Sequence, residues 1–166
     1  MLKRIAVAFL LFLSVFSFGQ CNDCFKNYGG WTHDNMRDLD VDNNGNFYLT
    51  YSSGIIKHDS NCVIKWTKLF TILYGNVVGI TVDSNENVYF LFDYRLSENA
   101  PNSGPFTNNG ITYYRGLNLI KLDSSGNFIW NRRVADRNSH IIQNIFSTNN
   151  EIYITTTCYD HTNING

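Results

Sequence analysis

Proline is almost missing from this chain: Pro101 and Pro105 are the two in 166 residues. With 25 aromatic residues beside so little proline, the composition excludes a disordered tail. Beyond residue 19 no segment shows a capped amphipathic period of 3.6 residues, so helices are not expected. A dominant charge is also missing. Without residues 1–19 the chain carries 11 basic and 14 acidic residues, scattered and with no basic stripe, which argues against a nucleic-acid partner. Gly-x-Ser-x-Gly and His-Glu-x-x-His do not occur, and the histidines at 33, 58, 140 and 161 are isolated. His33 and Asp34 are neighbours, which in a strand point to opposite faces. Paired carboxylates drawn from several repeats stay open as a catalytic arrangement.

The single long apolar run, Ile5–Phe16, is too short to span a bilayer comfortably. It follows Lys3 and Arg4 and precedes Ser17-Phe18-Gly19, with small residues at the −3 and −1 positions before Gln20. Residues 1–19 read as a removed export signal, so the mature chain is not membrane-spanning and resides outside the cell, on its surface or in the periplasm. Cys21 directly follows Gln20, where a lipid-modification site has a small residue, so lipidation is not expected. Asparagine is abundant, at 23, yet no Asn-x-Ser/Thr sequon occurs. In an oxidising compartment Cys21, Cys24, Cys62 and Cys158 are disulfide candidates rather than metal ligands. Cys21 and Cys24 form a CxxC with neither a second CxxC nor a zinc-spaced His pair, and a local Cys21–Cys24 bridge is the simplest expectation.

What is present is repetition. Ile-Ile-Lys-His-Asp-Ser-Asn-Cys-Val-Ile-Lys-Trp (55–66) returns as Leu-Ile-Lys-Leu-Asp-Ser-Ser-Gly-Asn-Phe-Ile-Trp (119–130), so that Asp59 and Trp66 recur 64 residues later as Asp123 and Trp130. A second unit recurs around Tyr48, Tyr89 and Tyr153. Each copy joins an Asp/Asn/Ser/Gly turn cluster to a run of Tyr, Phe, Val, Ile and Thr, the composition of a strand entered from a tight turn. The pattern places strands at about 36–42, 46–53, 54–59 and 63–70, then 77–83, 87–94, 117–123 and 127–135, then 140–147 and 151–159. Four short antiparallel strands per unit at this period predict an all-β, incomplete β-propeller of about two and a half blades. Blade 1 covers 36–70, blade 2 covers 71–135, and 136–166 forms the first half of a truncated blade 3. Residues 20–35 are an N-terminal segment whose strand would close the ring. Blade 2 is longer than blade 1, and its extra length, about 95–116, contains Asn109-Gly110, the signal of an inserted hairpin arm.

The runs GNFYLTYSS…IIKHDSNCVIKWTK and ENVYFLFDY…FTNNGITYYRGLNLIKLDSSGNFIWNRR resemble the SBBP-type β-propeller repeats of secreted bacterial proteins. The resemblance covers nearly all of residues 27–160. It implies a repeat scaffold and, in longer relatives, a C-terminal type IX sorting domain, which has no counterpart here. Three positions depart from the pattern. Cys62 and Glu86 replace turn glycines and Ser147 replaces the turn Asp, in each case without an expected change of strand register.

Two segments imitate known sites. Asp40-Val-Asp42-Asn-Asn44-Gly45 begins like an EF-hand loop, but Tyr51 stands where the bidentate Glu is needed and Tyr48 where a propeller loop has Asp, so a plain hairpin turn is expected. Asp123-Ser-Ser-Gly126-Asn-Phe-Ile-Trp130 approaches an Asp-box, with both gaps one residue too long. Asp59, Trp66, Asp123 and Trp130 are therefore structural repeat anchors. No catalytic, cofactor-binding or metal-binding residue is assigned. The candidate ligand or partner surface is the arm, Tyr94, Arg95, Phe106, Tyr113, Tyr114 and Arg115, because Tyr and Arg enrich interfaces and stack on sugars. Alternatively, these aromatics pack the arm onto its own sheet. The functional expectation is a non-catalytic binding or scaffold module with a protein or carbohydrate ligand. The alternatives are a propeller enzyme, lyase or quinoprotein-like, whose catalytic blades lie elsewhere, and a periplasmic assembly factor.

Overall fold

A computed structural model describes residues 36–51, 54–70, 75–94, 105–108, 110–135, 140–148 and 151–158. Residues 1–19, with the export-signal pattern, the segment to residue 35 with Cys21 and Cys24, and Arg95 lie outside these residues. The described chain is all strand and turn, and among the described residues no helix is long and apolar enough to cross a membrane.

The first sheet contains β1 (Met36–Val41), β2 (Phe47–Tyr51), β3 (Gly54–His58) and β4 (Ile64–Leu69), antiparallel and in sequence order. The second contains β5 (Gly75–Val82), β6 (Val88–Tyr94), β9 (Gly116–Leu122) and β10 (Phe128–Ala135) in that spatial order. Between β6 and β9 the chain makes a separate hairpin, β7 (Phe106–Asn108) and β8 (Ile111–Tyr113). A third antiparallel pair is β11 (His140–Thr148) and β12 (Glu151–Cys158). All ten strands expected for the three units form, with ends within two residues of those read from the sequence.

The period-two alternation of each strand builds two apolar layers, one on either side of the second sheet. Val88, Phe90 and Phe92 of β6, with Ile120 and Leu122 of β9, face Tyr48, Ile55 and Phe70 of the first sheet. Tyr89, Leu91, Leu117 and Leu119 face the other way, against Ile145, Ile152 and Ile154 of the third pair. Every residue of β6 is buried, as a central strand covered on both faces requires.

Four turns share one construction. Asp42, Asp59, Asp83 and Asp123 each accept, on the backbone carbonyl, the N–H three residues on, and each donates its own N–H to the carbonyl four residues on. Each carboxylate Oδ1 also accepts the N–H groups two and four residues on, at 2.8–3.0 Å. The residue three after each Asp has a left-handed backbone: Gly45 (φ 75°), Cys62 (64°), Glu86 (61°) and Gly126 (80°). Cys62 and Glu86 thus hold a glycine conformation, at a cost of about 1 kcal/mol each. The register of these two hairpins survives the substitutions because the Asp scaffold imposes the turn.

The third hairpin corrects the expectation of an unchanged register. Tyr48 stands opposite Asp40 and Tyr89 opposite Thr81, but Tyr153 stands opposite Phe146, and Thr148 pairs with Glu151. The residue opposite the Tyr thus lies eight positions before it in the first two hairpins and seven in the third. Without an Asp at position 147 no carboxylate organises the longer turn, and the shorter strand connection takes over.

The first strands of the three units lie side by side. Each carries a register irregularity at the corresponding place, at Met36/Asp38, Val77/Gly79 and Ile142/Asn144. Ile80 donates its backbone N–H to Asp38 Oδ2 at 2.9 Å, and Val82 donates to Asp40 Oδ2 at 2.8 Å. The edge amides of β5, unpaired on this side by any strand, are thereby satisfied by carboxylates of the neighbouring sheet. Close approach on the other side depends on Gly79, where a Cβ would stand 2.8 Å from Ile145 Cγ2.

Candidate functional site

Of the four repeat anchors, Trp66 and the Asp123 turn meet across one contact between sheets. Asp42 Oδ2 accepts from Asn46 Nδ2 (2.8 Å) and Tyr48 Oη (3.0 Å), and Asp83 Oδ2 accepts from Asn87 Nδ2 (2.8 Å) and Tyr89 Oη (3.0 Å). Burial pushes both carboxyls up, but the hydrogen bonds from Asn46 and Tyr48, or Asn87 and Tyr89, outweigh it and hold both below the ordinary range. With its oxygens taken by turn donors, Asp42 acts as a hairpin anchor, as its plain-turn reading expects. Among the described residues no three His, Cys, Asp or Glu side chains gather around a common point.

Above each buried Tyr lie a Lys and a Trp. Lys57 Nζ sits 5.0 Å from the Tyr48 ring centre and Trp66 meets that ring edge-on at 6.0 Å, while Lys121 and Trp130 repeat this over Tyr89 at 5.0 and 6.1 Å. Trp66 Nε1 and Lys57 Nζ both donate to Ser124 O of the second sheet, at 3.0 and 3.2 Å. Lys57 also pairs with Glu86 at 3.6 Å, and Asn44 Nδ2 donates to Glu86 Oε1. Trp66 and Asp123 therefore hold neighbouring sheets together, on the two sides of one contact. Asp59 holds its own turn, with Lys65 at 3.8 Å.

The arm is not the open aromatic surface that its composition suggested. Tyr94 and Tyr113 are 3% and 1% exposed and belong to the core between the first and second sheets. Phe92 and Tyr113 pack with ring centres 5.0 Å apart, so the arm folds down over the face of its own sheet. Burying two tyrosine rings outweighs presenting them to water. Tyr114 is exposed, Arg115 is half-buried, and the side chain of Phe106 falls outside the described residues. The base of the arm is pinned by Asn118, fully buried, which accepts the Tyr114 N–H at 2.9 Å and donates to Tyr114 O at 2.6 Å and Gly116 O at 3.1 Å. Asn131 reaches from β10 to Thr112 O, and Arg133 Nε donates to Arg115 O at 3.0 Å.

By folding down, the arm closes one end of a cleft of about 300 Å³ between β4 and the β9–β10 hairpin. Phe70, Ile111, Leu122 and Phe128 supply its apolar lining. Lys68, Asn127 and Tyr113 supply polar groups. No described residue hydrogen-bonds to the Tyr113 hydroxyl, and burial raises its pKa far above that of a free phenol. Among the described residues the lining holds no carboxylate, histidine or cysteine. Such a set can bind a ring or aliphatic group and orient its polar substituents. Sequence reading missed this cleft because its walls come from positions far apart in the chain. Among the described residues of the candidate arm surface, Tyr113 contributes to it.

Cys62 is disulfide-bonded. Its turn belongs to the first sheet and Cys158 to the end of β12, with the second sheet between them. Stacked sheets lie about 10 Å apart, whereas bridged cysteines need Cα atoms about 4.4–6.8 Å apart. Cys158 is therefore out of reach, which leaves Cys21 and Cys24, both outside the described residues, as the candidate partners.

No family model and no curated protein matches the chain. Its fold is similar to the crystal structure of a protein of unknown function from Bacteroides caccae, with a TM-score of 0.51 at 8% identity. That likeness covers 78% of this chain and 41% of the other, so the chain spans less than half of that protein's length. At this identity the likeness speaks to the all-β fold alone.

Proposed function

We propose that this chain is part of an exported, SBBP-type β-propeller repeat protein that serves as a non-catalytic binding or scaffold module, with the cleft under the arm as its ligand site. The single observation that carries the binding reading is that cleft: an apolar floor beneath an amine, an amide and a buried phenol without a hydrogen-bond partner among the described residues. The propeller arrangement is supported by the stacking of the two four-stranded sheets, joined where Lys57 and Trp66 donate to Ser124 O, and by the adjacent first strands. Export is supported by the charged, apolar and small-residue pattern of residues 1–19 and fits the disulfide at Cys62. The ligand class that suits the lining is an oligosaccharide or peptide presenting a ring or aliphatic face with hydroxyl or carbonyl groups at its edge.

The test is titration of the exported protein with oligosaccharide and peptide panels, followed by tryptophan fluorescence, since Trp66 lies beside Gly126 at the cleft wall. Binding that weakens in Phe128→Ala and Tyr113→Phe but not in Phe146→Ala supports the reading. Binding insensitive to all three places the ligand elsewhere, and turnover of any panel member favours the enzyme alternative.

A further inference from the structure

The two Lys–Tyr–Trp groups match in their internal geometry. The Tyr–Trp interplanar angles are 60° and 61°, the Lys–ring distances are both 5.0 Å, and each Tyr hydroxyl donates to its turn Asp at 3.0 Å. In the first sheet the group receives a specific element, the Asp123–Asn127 turn of the next sheet. The Ser124 carbonyl accepts from both Trp66 Nε1 and Lys57 Nζ, and Gly126 lies flat on the indole. A Cβ at Gly126 would stand 3.1 Å from Trp66 Cδ2 and 3.0 Å from Lys68 Cε, so any larger residue crowds the indole in addition to being strained at a φ of 80°.

In the second sheet the group has the same donors, with Lys121 also hydrogen-bonded to the Tyr89 hydroxyl. Trp130 packs on one side against the layer containing Ile152 and Ile154, and Arg132 covers part of its ring at 5.1 Å. No described residue accepts from the Trp130 indole N–H. Independently, β12 pairs among the described residues on one side only, with β11. The sheet carrying that strand edge is the one that faces Trp130.

We infer that Lys121 and Trp130 form a receptor for a β-hairpin whose turn reads Asp-Ser-x-Gly-Asn, one of its strands pairing with the edge of β12 away from β11 and its Ser carbonyl accepting from both side chains. The first interface supplies the template for every contact: two donors converging on one carbonyl, a glycine against the indole, and a strand continuing the sheet. The glycine also decides what is rejected. The chain's own Asp59–Val63 turn carries Cys62, disulfide-bonded, at the position of Gly126. A Cβ there would strike the indole, so a second copy of this chain does not dock through that turn.

The test uses the exported protein with ¹⁵N-labelled tryptophan and an unlabelled peptide of residues 114–135, which carries the required turn. Trp→Phe variants assign the indole resonances. Addition of peptide is expected to move the Trp130 N–H signal downfield saturably and leave Trp66 in place. Lys121→Gln in the protein is expected to weaken binding about tenfold, as for one lost charged hydrogen bond, and Gly126→Val in the peptide to abolish it. The inference is overturned if saturating peptide leaves the Trp130 signal unmoved or the Gly126→Val peptide binds equally well. It is also overturned if the signal moves with protein concentration alone, which would make a second copy the occupant.

Discussion

Asp83→Ala is expected to destabilise the protein far more than removal of an ordinary turn residue. The Asp83 carboxylate accepts four donors: the N–H groups of Asn85 and Asn87, Asn87 Nδ2 and Tyr89 Oη. Asp83 and Tyr89 are 5% and 6% exposed, so the tyrosine hydroxyl loses its acceptor where water does not replace it easily. That hydroxyl costs about 1–2 kcal/mol, and the three amide donors, which water reaches in part, cost about 0.5 kcal/mol each, for about 3 kcal/mol in all. For a domain of this size the loss lowers Tm by about 10 °C. Urea denaturation followed by circular dichroism measures it, with Tyr89→Phe and the double variant completing a cycle. A coupling energy of about 1 kcal/mol between Asp83 and Tyr89 is expected, because they share one buried bond. The same substitution at Asp123 serves as the comparison: its carboxylate's hydrogen bonds are exposed and no buried hydroxyl leans on it, so its effect is smaller. The reasoning fails if Asp83→Ala is as mild as Asp123→Ala, or if Asp83 and Tyr89 prove additive.

Four turn carboxylates lie below their ordinary pKa. Burial opposes this at Asp42 and Asp83 and is outweighed by hydrogen bonds, while backbone N–H groups of Val63 and Asn127 lead at Asp59 and Asp123. A depressed folded pKa contributes stability above the unfolded value and loses it as pH falls through the folded one, so the urea midpoint is expected to be flat above about pH 5 and to fall steeply below pH 4. Asp83→Asn should flatten that fall; an unchanged acid limb contradicts the turn anchors. At the left-handed position 86, Glu86→Gly is expected to be about 1 kcal/mol more stable than Glu86→Ala, because both lose the contacts to Asn44 and Lys57 and only glycine relieves the backbone. Equal midpoints for the two variants would refute strain at this turn. Peptide mapping of the oxidised protein is expected to recover Cys62 linked to Cys21 or Cys24; a Cys62–Cys158 peptide would contradict the stacking of three sheets.

The strands, the hairpins and their grouping into units of four were legible in the sequence, because they rest on local chemistry: alternation of apolar residues, Asp-initiated turns, and a spacing of 64 residues between copies. The equivalence of all four turns was also encoded locally, in the Asp followed three residues later by a left-handed position, although glycine occupies that position in only half of them. Contacts between units were not legible. Ser124 O accepting from Lys57 and Trp66, and Asp38 and Asp40 capping the β5 edge, join residues 42 to 67 positions apart through a backbone carbonyl and backbone amides. Such groups are common to every residue and leave no mark on composition. The arm shows the same limit from the other side: Tyr94 and Tyr113 have the composition of a binding surface, and only their packing against Phe92 and Phe70 makes them core. Whether an aromatic ring meets water, a ligand or another ring depends on what the tertiary fold lays over it. Here the arm and the neighbouring sheet bury those rings and leave the Tyr113 hydroxyl as part of the cleft.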